Sequence, residues 1–172
     1  RLPAEHLEQA QDDATIVAIR DMERAGIDIV TDGEQTRRHF VTTLIESLDG
    51  VDFQHKKTVR IRSRYDADVP VVVGPVVRRH PVFAEDARFL RGATQRKIKY
   101  TLPGPMTMVD TLYDAYYGSR EKLAWAFAGI LNDEAAAERN PSGALRQIIP
   151  GRWSVVGRNR DITLYRYERK AP

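Results

Sequence analysis

The feature that most constrains this chain is the order in which its hydrophobic periods alternate. Leu7, Ala10, Ala14, Val17, Ala18 and Met22 recur at three- and four-residue intervals, which predicts an amphipathic helix over residues 3–25. Gly26 stops it. Ile27-Asp28-Ile29-Val30-Thr31 then reads as a short strand of mainly β-branched residues, and Asp32-Gly33-Glu34 as the turn that ends it. A second helix is expected over residues 40–48, with Val41, Leu44, Ile45 and Leu48 on one face and Asp49-Gly50 closing it. In Thr58-Val59-Arg60-Ile61-Arg62-Ser63-Arg64 apolar and basic residues alternate, so a strand there directs its three arginines to one side. A turn at Asp66-Ala67-Asp68 and a partner strand Val69-Pro70-Val71-Val72-Val73 complete a hairpin, Pro70 placing that partner at an edge or at its own start. His80-Pro81 opens a helix through Phe83, Ala87 and Leu90. Residues 97–102 read as a strand cut off by Pro103-Gly104-Pro105, and Ser119 caps a long helix to about Ala137. This alternation predicts an α/β fold built on a mainly parallel sheet or barrel.

After residue 137 the rhythm breaks. Asn140-Pro141-Ser142-Gly143 is loop chemistry, followed by strand-like stretches at 153–156 and 162–165. The formal charge of the 172-residue chain is +3, and it is concentrated at this end. Residues 138–172 hold eight Lys/Arg against three acids, leaving 19 basic and 21 acidic side chains in residues 1–137. The body is therefore mildly acidic, and nucleic-acid binding by it has little electrostatic support. In the tail, Trp153, Tyr165 and Tyr167 interleave with the basic residues, as a nucleic-acid surface or simply as a solvated end. No run is apolar enough to span a membrane and no signal-peptide pattern is present, so a cytoplasmic protein without a membrane partner is expected. An opening Arg1 fits a trimmed or partial chain.

The absence of cysteine excludes disulfides, thiolate zinc sites, iron–sulfur clusters and cysteine nucleophiles. His6, His39, His55 and His80 are scattered and match no metal-ligand spacing. Asp32 and Glu34 are the foremost candidate site residues, because ligands of α/β folds gather at the carboxyl ends of strands and a carboxylate there holds an ammonium group. The alternative is a turn whose acids cap the next helix or pair with Arg37 or Arg38. Arg60, Arg62 and Arg64 offer guanidinium forks to phosphates or a polyglutamate, or else form a solvated hairpin face.

Taken together, Gly26-Ile27-Asp28-Ile29-Val30-Thr31-Asp32-Gly33-Glu34-Gln35-Thr36-Arg37-Arg38-His39-Phe40 and Leu48-Asp49-Gly50-Val51-Asp52-Phe53 resemble cobalamin-independent methionine synthase. Leu102-Pro103-Gly104-Pro105-Met106-Thr107-Met108 and Ser119-Arg120-Glu121-Lys122-Leu123-Ala124-Trp125 continue the match in order, over roughly residues 5–137. The resemblance is greatest to short members of the family, equivalent to the C-terminal catalytic barrel of the long ones. It implies a partial (β/α)8 TIM barrel with an inserted β-hairpin over residues 1–137, followed by a divergent basic tail at 138–172. The family reaction it implies is attack of a zinc-bound homocysteine thiolate on a methyl group, giving methionine. The implied methyl donor is a methyl-corrinoid or a methyltetrahydrofolate. Glu34 matches the residue that binds the amino group of homocysteine or methionine, with Asp32 beside it. Arg64 and Tyr65 align with a folate-contacting pair, and Thr111 stands where long members place a tryptophan against the pterin.

This sequence also departs from the family. The family's zinc ligands are a histidine, a glutamate and two cysteines, so zinc is expected to be absent here, and the tail lacks the family's Asp-Glu-Pro motif. A full barrel needs about 250 residues. The expectation is a fragment inactive on its own, its open sheet edge covered by the tail or by a second copy of the chain. The rival expectation is a non-catalytic module that binds an amino acid, an anionic ligand or a protein.

Overall fold

The structure, a computed structural model, describes the backbone of residues 3–61, 63–139, 151–159 and 162–169, and side chains between residues 3 and 137 apart from Ala4 and Arg62. The chain divides into two compact units, Arg1–Pro141 and Ser142–Pro172.

In the first unit a 3-10 turn leads into α1 (Leu7–Arg24), which delivers the chain to β1 (Ile29–Val30). The helix forms where its period predicts, but turned from the expected face. Thr15 and Ile19 are the buried positions, while Leu7 and Val17 are more than half exposed. The rotation follows from what α1 meets: Ile19 packs with Val30 and Leu90 in a small core, joined at its margin by Met22, Ala93, Ile98 and Tyr100. β1 pairs in parallel with β4 (Lys97–Ile98), Ile29 opposite Lys97 and Val30 opposite Ile98. Lys99 N–H extends this seam to the Val30 carbonyl at 2.9 Å.

Between these strands lie α2 (Thr42–Glu46), the antiparallel pair β2 (Leu48–Ile61) and β3 (Tyr65–Arg78), and α3 (Ala84–Ala93). The hairpin is longer than its sequence pattern, with Ser63, at φ +58°, and Arg64 in the turn between its strands. Asp66 and Asp68 are therefore strand residues rather than the turn. They face Arg60 and Thr58, with an Arg60–Asp66 ion pair of 3.3 Å and a Thr58 Oγ1–Asp68 hydrogen bond of 2.7 Å. Arg64 sits in the tip and not on a strand face with Arg60, so the expected file of three arginines is not formed; Arg62 lies outside the described residues.

Gly50 does not close α2 but lies within β2. Its φ is +85°, and a Cβ there would stand 2.2 Å from the Pro75 carbonyl oxygen, so the strand crosses its partner at a point only glycine can occupy. Pro70 likewise departs from expectation. β3 is the central strand of the order β2-β3-β5, with β5 (Tyr113–Asp114) parallel on its other side. Pro70 is tolerated because it falls in an interruption of the ladder: Lys57 pairs with Val69 and Asp52 with Val71, leaving it opposite an unpaired bulge of residues 53–56. β5 joins β3 only from Val71 onward.

α4 (Pro105–Asp110) starts with proline at its first turn, where the missing N–H costs nothing. α5 (Arg120–Arg139) follows Ser119, whose Oγ accepts the Lys122 N–H at 3.4 Å. Its buried Leu123, Phe127, Ile130 and Leu131 meet Leu44, Ile45, Val72, Phe83 and Met108 in the main core. Burying a side chain the size of Phe127 contributes about 1.5–3 kcal/mol.

The result is a mixed α/β unit with one parallel two-stranded seam and an inserted hairpin, and the described residues do not close a barrel. Among them no helix is long and apolar enough to cross a membrane. The second unit contains β6 (Gly151–Asn159) and β7 (Ile162–Arg169), antiparallel with Trp153 opposite Tyr167 and Val155 opposite Tyr165. The side chains of Trp153, Tyr165 and Tyr167, and the loop at 140–143, lie outside the described residues.

Candidate functional site

The site is built where β1 ends. Thr31 Oγ1 accepts the Gly33 N–H at 3.0 Å, Gln35 Nε2 donates to the Gly33 carbonyl at 2.9 Å, and the Arg37 N–H returns to the Glu34 carbonyl at 3.2 Å. Two consecutive residues take left-handed backbone, Gly33 at φ +65° and Glu34 at φ +55°. Glycine does so freely. For Glu34 that conformation costs about 1–3 kcal/mol and persists only where its surroundings impose it.

Those surroundings are specific. Gln11 of α1 donates to the Thr36 carbonyl at 2.9 Å, and Thr36 Oγ1 donates to Asp86 of α3 at 2.8 Å. Asp86 also accepts the Tyr100 hydroxyl at 3.2 Å. The loop from β1 is thus tied to a helix on either side of it and, through Asp86, to Tyr100 two residues beyond β4.

Within this frame the structure brings both predicted substrate residues to one guanidinium. Arg37 lies 3.7 Å from Asp32 and 3.8 Å from Glu34. The Arg37 and Asp32 side chains are each 2% exposed, whereas the Glu34 side chain is 35% exposed. Both separations exceed hydrogen-bond length. The two Asp32 carboxylate oxygens and all three Arg37 guanidinium nitrogens have no hydrogen-bond partner among the described residues. Instead Arg37 is stacked, its guanidinium carbon 4.7 Å from the Phe83 ring centroid and 4.6 Å from that of Tyr100. Such a contact is worth about 2 kcal/mol when desolvated. Burial pushes the Tyr100 phenol upward, against the opposing pull of Arg37, so it stays a neutral donor.

Sequence reasoning named Arg37 only as an alternative partner for the acids, and it missed the roles of Phe83, Tyr100 and Glu134. Glu134 on α5 is fully buried. It takes Arg78 at 2.8 Å and the backbone N–H groups of Val82 and Phe83 at 2.8 and 2.7 Å, fixing the backbone that carries the Phe83 ring. The available signal is spacing: Glu134 falls three, four and seven positions after Leu131, Ile130 and Phe127, on the face of α5 that those residues bury.

The remaining predicted residues lie on other elements. Arg64 and Tyr65 are at the exposed hairpin tip, Tyr65 opposite Ile61. Thr111 follows α4, and its hydroxyl is bonded to the Met108 carbonyl at 2.8 Å. Of the histidines, His39 serves α2, its Nδ1 accepting the Val41 and Thr42 N–H groups at 3.2 Å, and His55 pairs with Asp52 at 2.8 Å. The donor set that a thiolate-type zinc site needs does not fit this chain: it has no cysteine, and among the described residues no three His, Asp or Glu side chains converge.

Comparison with known proteins places this geometry. Residues 2–148 match the family model described as the catalytic domain of cobalamin-independent synthase. A methionine synthase of Sulfolobus acidocaldarius is 31% identical over 131 residues, 76% of this chain and 38% of that protein. A 5-methyltetrahydropteroyltriglutamate–homocysteine methyltransferase of Citrobacter koseri is 33% identical over 77% of this chain and 17% of its own length. The solved structure of a B12-independent methionine synthase from Shewanella sp. W3-18-1, in complex with selenomethionine, is 60% identical. It superimposes with a TM-score of 0.76 over 82% of this chain and 41% of that one. The chain thus spans about two fifths or less of the length of these relatives, and it belongs to the cobalamin-independent synthase catalytic-domain family.

Proposed function

We propose that residues 1–137 are the amino-acid-binding portion of a methionine synthase-type methyltransferase, with Glu34 holding the ammonium group of homocysteine or methionine. The observation that carries this is the Glu34 side chain: solvent-accessible, at the carboxyl end of β1, and held in a left-handed backbone beside a buried ion pair. The 60% identical Shewanella protein was solved with selenomethionine, which supports an amino acid of this type as the ligand. Arg64 and Tyr65 are the proposed donor-side contacts, for a methyltetrahydrofolate or a methyl-corrinoid, and Thr111 the position that weakens a pterin.

Methyl transfer by this chain alone is not expected. The family chemistry activates the homocysteine sulfur as a metal-bound thiolate, and this chain does not carry the cysteines that chemistry uses. We further propose that residues 138–172 are a divergent basic tail, most of which belongs to the compact unit Ser142–Pro172. The edges of the β1–β4 seam that have no partner among the described residues are the proposed surface for a second copy.

The test is calorimetry with homocysteine and methionine on the full chain, with Glu34→Gln as control. Binding that Glu34→Gln abolishes supports the reading, and binding indifferent to that change sinks it. Formation of methionine from homocysteine and either donor would sink the claim of inactivity. The rival reading, an anion-binding module, has less support because Arg60 is already paired with Asp66. Titration with a polyglutamate tests it directly.

A further inference from the structure

We propose that Arg37 is a positioning residue and that Asp32 acts with it rather than on the ligand, the two forming a buried strut that aims the Glu34 carboxylate at an ammonium group. This deepens the reading above and rests on it.

Exposure separates the roles. Asp32 and Arg37 are enclosed, and only Glu34 is open to a ligand arriving from solvent. Charge agrees with exposure: Asp32 and Glu34 share one guanidinium, with the Asp86 carboxylate bonded to Thr36 nearby, so the acids outnumber the cation and Glu34 is the one of the two on Arg37 that is open to solvent. That matches a monocation and mismatches a second carboxylate. Arg37 has no exposed nitrogen with which to take the ligand's carboxylate. Phe83 and Tyr100, whose ring centroids lie 5.8 Å apart, pack together on one side of its guanidinium, its nitrogens face Asp32 and Glu34, and all three nitrogens are buried. A buried pair lacking hydrogen bonds is a poor source of stability, since desolvation offsets most of the attraction. The near-equal distances to Asp32 and Glu34 instead describe a cation shared between an anchor and a working group. With the Gln11 and Asp86 ties on Thr36, this shared cation is what holds Glu34 in a backbone it does not favour.

The test uses the full chain and three ligands: methionine, 3-(methylthio)propylamine, which keeps the ammonium and lacks the carboxylate, and 4-(methylthio)butanoate, which does the reverse. Arg37→Met keeps an unbranched side chain against the two rings without charge. It should weaken methionine and the amine about ten- to a hundredfold, the worth of a charge-assisted contact, and leave the butanoate unchanged. Arg37→Lys should recover part of the loss, and Arg37→Met added to Glu34→Gln should cost no further affinity. If Arg37→Met does not fold, Arg37→Lys and its combination with Glu34→Gln decide the same question. Loss of butanoate binding with the amine unaffected would assign Arg37 to the carboxylate and overturn the proposal, as would equal losses for all three ligands. Failure of the unsubstituted chain to bind methionine or the amine would overturn the amino-acid reading, and this proposal with it.

Discussion

The carboxylate of Glu134 accepts the backbone N–H of Phe83 at 2.7 Å, across 51 residues of sequence. A fully buried charge on α5 therefore fixes the start of α3 and the ring that covers Arg37. Glu134→Ala leaves Arg78 and two amide groups unpaired and should cost about 3–5 kcal/mol. Glu134→Gln keeps one acceptor and should cost less. Urea unfolding of the two variants checks the order, and equal losses would contradict this account.

Gly50→Ala should be among the most damaging small substitutions in the hairpin. The added methyl meets the Pro75 carbonyl at 2.2 Å in a backbone of positive φ, so both space and conformation oppose it. A loss of at least about 2 kcal/mol is expected. Gly118→Ala is the comparison, since its φ is also positive but a Cβ there meets nothing within 4 Å. The difference between the two in thermal unfolding isolates the collision.

Glu34→Gly should raise stability while removing amino-acid binding. Glycine relieves the left-handed backbone, for a gain of about 0.5–1 kcal/mol, and forfeits only a 3.8 Å contact to Arg37. Thermal unfolding measured beside methionine calorimetry reads both effects. A variant that is less stable as well as unable to bind would show that the contact outweighs the strain.

Thr94 and Glu23 give the fold an acid-sensitive tie. The Thr94 hydroxyl donates to Glu23 at 2.5 Å, and this bond, followed by that of Arg20, lowers the Glu23 pKa. A folded-state pKa below the unfolded one contributes stability that is complete above the unfolded value and lost as pH falls through the folded one. Thr94→Val should therefore be less stable than the parent at neutral pH, with the gap narrowing as pH falls through the folded-state pKa of Glu23. Urea midpoints across that range check it, and a pH-independent gap would place the loss elsewhere.

The elements of this fold were legible where a period ran long enough to be read. α1, α3 and α5 stand close to where their apolar spacing put them, and Asp32 and Glu34 were marked by the short strand before them. What failed was long-range. Gly50 and Pro70 carry ordinary turn and edge meanings locally, and only the register of β2 on β3 shows one to be a crossing point and the other a residue at a bulge. The buried face of α1 was misjudged because Thr15 scores as polar, although its hydroxyl is satisfied by the Gln11 carbonyl at 2.8 Å. Arg37 was legible only as a charge, since the rings that pack against it lie 46 and 63 positions further along the chain.

The β1–β4 seam joins Ile29 to Lys97, 68 positions apart, whereas β2 and β3 meet through a tip only a few residues long. Closing the larger loop costs more chain entropy, and two residue pairs return little for it. The rim that bears Asp32 should accordingly assemble late and open first. In native-state hydrogen exchange the Lys99 amide would lose its protium well before those of the hairpin, making the end of β1 that leads to Asp32 less protected than the hairpin.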